Sequence, residues 1–171
     1  MEYSIRPDYQ AILDICVALE DAELSGTDKA EAALWMFYPD AGNIPPECRE
    51  EALEQCFWFI DGGRVRTHHT KSPRLVDWEK DFPYICGPVN RVLGLEVRAA
   101  EHMHWWTFLA AYMEIGDCTF AQIIRIRDRL ARGKALDKDD QAWYRQNRHL
   151  VDFEMKYTEA QQNLLKEWGG S

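Results

Sequence analysis

Apolar positions along the chain recur mostly at intervals of three and four, the spacing that puts them on one face of a helix. After a short opening at 1–6, with Tyr3 and Ile5 on one side of an extended segment, Tyr9, Ile12, Leu13, Cys16 and Leu19 predict a helix over 8–20. Ser25-Gly26 breaks the chain, and Thr27 is placed to cap a second helix through Ala30, Ala33, Leu34 and Phe37, which Pro39 ends. Pro45-Pro46 opens a third, where proline costs least because the first amides of a helix have no internal partner. Its inward stripe reads Leu53, Cys56, Phe57 and Ile60, and Asp61-Gly62-Gly63 closes it. The next stretch, 62–74, is basic, polar and aperiodic, and reads as a loop. Asp77 then caps a helix to 93 with Trp78, Phe82, Ile85 and Val89 inward; Gly87-Pro88 is expected to kink or divide it.

The most apolar stretch follows, at 102–130. Trp105, Trp106, Phe108, Leu109, Tyr112, Met113 and Ile115 leave no wide polar face, so this helix is expected to be central and buried, with Trp105, Trp106 and Phe108 as its hub. Gly116 stops it, and Thr119-x-x-Gln122 has the spacing of a capping box for the next helix. That helix turns Phe120, Ile123 and Ile124 inward and Arg125, Arg129 and Arg132 outward. Helices over 138–152 and, as a possible appendage opened by Thr158-x-x-Gln161, over 158–168 complete the chain. No strand run or internal repeat emerges. The expectation is an all-α single domain over 1–171, of about six to eight helices around a central helical hairpin at 101–131.

Composition sharpens this. The chain has 171 residues, 46% of them hydrophobic, with seven each of Trp, Tyr and Phe, enough to bury a core. No apolar run reaches the roughly 18 residues that span a bilayer, which points away from a membrane and toward the cytoplasm. The five cysteines are scattered without Cys-x-x-Cys spacing, and neither a disulfide framework nor a zinc site is expected. The net charge of −9 is uneven: residues 8–61 carry −11, 62–98 carry +3 and 117–152 carry +2. An acidic front and a milder basic back suit protein partners or self-association through unlike faces.

Catalytic constellations are missing from the pattern: no phosphate loop, no His-Glu-x-x-His, no Gly-x-Ser-x-Gly. His102 and His104, two apart, cannot share an ion on a helix. His68-His69 has no further ligand type within its loop, and Glu50, Glu51 and Glu54 fall on an outer helix face. No catalytic residue, cofactor or metal is therefore expected. A rival reading treats 101–131 as a helix-turn-helix whose Arg125, Arg129 and Arg132 contact DNA phosphates. The overall charge of −9 argues against nucleic acid as the partner.

Several words of the sequence are more specific. Phe37-Tyr38-Pro39 precedes a proline-opened helix, Trp58-Phe59 precedes Gly62-Gly63, and Asp77-Trp78-Glu79-x-Asp81 opens an aromatic helix. His104-Trp105-Trp106-x-Phe108 follows, then Ile123-Ile124-x-Ile126-Arg127. Over 5–150 the chain resembles the gene-product-fifteen family of tailed bacteriophages and their prophages. The loop at 62–74 carries Arg and His where that family favours Lys and Ser. The resemblance implies a role in virion morphogenesis in the host bacterial cytoplasm, because such genes typically lie between those for the tail tube and the tape measure. That position implies a non-enzymatic tail assembly chaperone with the tape-measure protein or tail-tube subunits as clients. A chaperone needs apolar contacts at helix edges, and Trp35, Trp58 and Trp168 are the candidates for them.

Overall fold

A computed structural model of the chain describes residues 2–64 and 72–153. The central part of the basic loop, with His68 and His69, and the expected helix at 158–168, with Trp168, lie outside the described residues. The described residues form eight α-helices and no strand: α1 (Tyr9–Glu20), α2 (Gly26–Phe37), α3 (Arg49–Ile60), α4 (Trp78–Leu93), α5 (Trp105–Met113), α6 (Thr119–Ala131), α7 (Lys138–Gln146) and α8 (Arg148–Val151). The fold is all-α.

Caps fix most helix starts. Asp8 accepts from the Gln10 amide at α1, and Asp77 from the Lys80 amide at α4. At α2 the cap is Ser25, two residues before the expected Thr27, because Ser25 and Asp28 satisfy each other's backbone amides in a reciprocal box. At α6 the cap is Cys118, whose Sγ accepts from the Ala121 amide, and Thr119 is already helical. Arg6 closes the other end of α2, its Nη1 donating to the carbonyls of Trp35 and Met36 at 2.8 Å each.

Two expected boundaries differ. Gly87-Pro88 does not divide α4, which runs unbroken through Pro83 and Pro88. Each proline removes a single N–H from the ladder, and the packing of Ile85, Cys86 and Val89 in the core holds the helix across the gap. Conversely, the single helix expected over 138–152 breaks at Asn147, whose side-chain amide takes the Trp143 carbonyl and leaves the helical conformation.

The core is continuous across α1–α5 and the start of α6. Tyr9 stacks on Phe108 with ring centroids 4.9 Å apart, and Phe108 stacks on Trp105 at 5.6 Å. Backbone bonds stitch the start of α1 to that of α5, Tyr9 N–H to the Met103 carbonyl and Trp105 N–H to the Pro7 carbonyl. The two helices of the hairpin expected at 101–131 pack chiefly on other helices. The α5 helix packs on α4 and α1, and α6 packs on α4 and α8. Between them Tyr112 meets Phe120, ring centroids 5.9 Å apart. The five residues between α5 and α6 include Gly116 at φ +63°, a left-handed conformation that glycine adopts at little cost.

Candidate protein-docking site

Adjacent tryptophans on α5 organise the site. At its C-terminus α3 leaves carbonyls without helical partners. Trp105 Nε1 donates to the Ile60 carbonyl at 2.8 Å and Trp106 Nε1 to the Phe59 carbonyl at 2.9 Å. The two indoles thus tie α5 to the end of α3, and their rings part. Trp105 enters the core, while Trp106 stays 38% exposed, stacked on Phe59 at 5.3 Å and edge-on to Trp58 at 5.8 Å. Trp106 is thus a correction to the expected buried hub, which Trp105 and Phe108 form without it. Nine residues of helix make two and a half turns, and neighbours cover only one side of α5.

Gly62 and Gly63 make this junction possible. Both have positive φ, +71° and +77°. A Cβ on Gly62 would stand 2.8 Å from Leu109 Cδ2, and one on Gly63 3.3 Å from the Trp58 ring. The turn is glycine because both conformation and space demand it.

Between α1, α3, α4 and α5 lies an open groove of about 1210 Å³. Leu19, Phe57, Ile60, Trp78, Leu109 and Tyr112 line it half-buried; Trp58 on α3 and Met113 on α5, 41% and 53% exposed, line it from the surface. This explains the third helix. The stripe expected to face inward is only half-buried at Leu53, Phe57 and Ile60, since Phe57 and Ile60 face the groove. Closed-core packing falls to Ala52, Cys56 and Phe59, with Phe59 5.3 Å from Phe37.

The rim is acidic. Glu20, Glu54 and Asp61 line it with one base, Arg64, whose Nη2 donates to Met113 Sδ at 3.4 Å. Burial raises the Glu20 carboxyl above its ordinary range, against the pull of Arg74 at 2.7 Å. The Cys16 thiol is pushed up to about 12 by burial, and so is the Tyr112 phenol. A thiol held protonated is a small apolar wall, not a nucleophile. The groove's chemistry is that of apolar contact with charge along one edge.

The other expected site residues lie elsewhere. Trp35, 52% exposed on α2, covers Gly42 and does not line the groove. Arg125 pairs with Asp140 at 2.6 Å, Arg129 donates to the Ala135 carbonyl, and Arg132 pairs with Asp128 at 2.6 Å. Each is thus engaged within the fold, not lined up as a free basic stripe. His102 Nδ1 sits 2.9 Å from Asp8 Oδ2, and His104 caps α5 through the Trp106 amide. Among the described residues no cluster of three His, Cys, Asp or Glu side chains is arranged to hold a metal, and no helix is long and apolar enough to cross a membrane.

Sequence reasoning missed the groove's Leu109, Tyr112 and Met113 as surface, having assigned the whole helix to the core. It also missed Arg127. This side chain is 3% exposed and spends all five N–H donors: two on Asp81, the others on the carbonyls of Leu75, Leu150 and Val151. Its signal was present, since residue 127 stands four after Ile123 on the inward face of α6.

No curated protein and no solved structure matches the chain. The family model described as Bacteriophage Gp15 protein matches residues 1–153, which hold every helix above, and the chain belongs to that bacteriophage family.

Proposed function

We propose that this phage protein is a non-enzymatic tail assembly chaperone whose clients are the tape-measure protein, tail-tube subunits or both. The observation that carries the proposal is the open groove with an aromatic floor, flanked by exposed Trp58 and Met113. Groups of this kind on a surface otherwise built to be wet are interaction sites more often than decoration. An elongated helical client presents apolar anchors at i, i+3, i+4 and i+7, and a groove between helices receives them. The acid along the rim steers encounter and keeps the complex reversible, as a factor that leaves before the virion is complete requires.

The test is co-expression with the tape-measure protein and, separately, the tail-tube protein, followed by size exclusion with light scattering. The expected result is a stable shared peak with several copies of this chain per tape measure. If both clients precipitate equally with and without this chain, and no shared peak forms, the proposal fails.

A further inference from the structure

The groove's two long banks differ in charge. The α5 bank, Trp105–Met113, contains no charged residue. The α3 bank carries Glu54 at the rim, with Glu50 and Glu51 exposed one turn earlier. Glu20 and Asp61 mark the rim further along, and Arg64 is the only base among the lining residues described. Size supplies a second constraint. The α5 lining runs from Trp105 to Met113, a helix of nine residues and about 13 Å, so a helix laid along it is met over two to three turns. Trp58 on α3 and Met113 on α5 are the exposed apolar side chains of the lining, available to an occupant's stripe.

From this complementarity of shape and charge we infer that the groove takes one amphipathic helix of a partner protein, held along about two to three turns. Its apolar stripe lies on Phe57, Ile60, Leu109 and Tyr112, and Lys or Arg flanks the stripe on the side facing α3. The inference deepens the chaperone reading, and rests on it, by stating what segment of a client is held. It also sets a direction: a helix with acid on that flank meets Glu50, Glu51 and Glu54 and is rejected.

The probes are two fluorescein-labelled helical peptides of about 14 residues, with leucines at i, i+3, i+4 and i+7. They differ only in carrying lysine or glutamate beside the stripe. Anisotropy titrations against the full chain are expected to show saturable binding of the lysine peptide and binding of the glutamate peptide at least about tenfold weaker. The exposed substitution Glu54→Lys narrows that gap, and raised salt weakens the lysine peptide. Trp58→Ala and Met113→Asp weaken both peptides with the helical circular dichroism unchanged. A photo-cross-linking residue at position 58 is expected to join the lysine peptide.

Equal affinity for the two peptides, or no response to Glu54→Lys, would overturn the inference. So would cross-links from position 58 to a second copy or to this chain's own residues in place of the peptide. The failures separate cleanly. Clients that co-purify without peptide discrimination would leave the chaperone reading standing on another face. Peptide discrimination without co-purification would keep the groove and remove the clients.

Discussion

Replacing Arg127 with Met removes a guanidinium that joins four segments of the fold. Its Nε donates to the Val151 carbonyl at 2.7 Å, its Nη1 to the Leu75 carbonyl at 2.8 Å, and its Nη2 to the Leu150 carbonyl at 2.8 Å. Two further donors grip Asp81, 1% exposed, which also accepts the Asp77 amide. The Phe153 ring lies over the guanidinium, its centroid 4.4 Å from Cζ. Met fills comparable volume but leaves the buried Asp81 carboxylate without its cation and three carbonyls without a donor. Breaking one partner of a buried pair costs about 3–5 kcal/mol. At about 2–4 °C per kcal/mol for a chain of this length, melting should fall by roughly 6–20 °C. Arg127→Lys should recover only part of the loss, because an ammonium has three donors and no planar fork. Arg127→Met with Asp81→Leu removes the stranded charge but not the orphaned carbonyls, so it should lie between the single mutant and wild type. Urea unfolding followed by circular dichroism, with hydrogen exchange at residues 150–152, reads both the global and the local effect. A midpoint for Arg127→Met indistinguishable from wild type would refute the reasoning.

Three further outcomes follow from the geometry. Trp105→Ala should cost about 3–5 kcal/mol as a large core truncation, whereas Trp106→Ala should cost about 1–2 kcal/mol, mainly one hydrogen bond; equal melting shifts would contradict their different burial. Cys16, Cys56 and Cys86 are buried and their thiols raised, Cys16 and Cys56 to about 12, so at pH 8 Ellman's reagent should titrate at most Cys48 and Cys118 promptly and all five in denaturant. Hydrogen bonding to Arg125 holds the Asp140 carboxyl below its ordinary range; the stability it contributes is therefore complete above the unfolded pKa and lost as pH falls through the folded one. Asp140→Asn should flatten the acid limb of a melting-versus-pH profile, and an unchanged limb would exclude that pair as a contributor.

How much of this was legible depended on range. The Asp77 cap and the stop at Pro39 depend on neighbours a few residues away, and the structure places both where local chemistry put them. Tyr9, Ile12 and Leu13 of α1 and Ile85 and Val89 of α4 were readable as core because neighbouring helices cover those faces, whereas Leu19 and Trp78 line the groove. Periodicity reports that a face is apolar but not what lies against it, so Phe57, Ile60, Tyr112 and Met113 looked like core and line a groove instead. Trp106 misled for the same reason: its ring is apolar, but its place follows from an α3 carbonyl 47 residues earlier. The role of Arg127 was not legible, because the carboxylate it pairs with lies 46 residues away at Asp81. At Gly116 a helix stop was visible, but the helices that α5 and α6 then pack against, α1, α4 and α8, were not.

The central claim is that the groove keeps a client in solution. Denatured tape-measure protein diluted into buffer, with light scattering recorded against added chain, tests it most directly. Scattering is expected to fall as wild-type chain approaches stoichiometry, and a Trp58→Ala/Met113→Asp variant of unchanged helical content to lose most of this effect. Equal suppression by wild type and variant, or none by either, would contradict it.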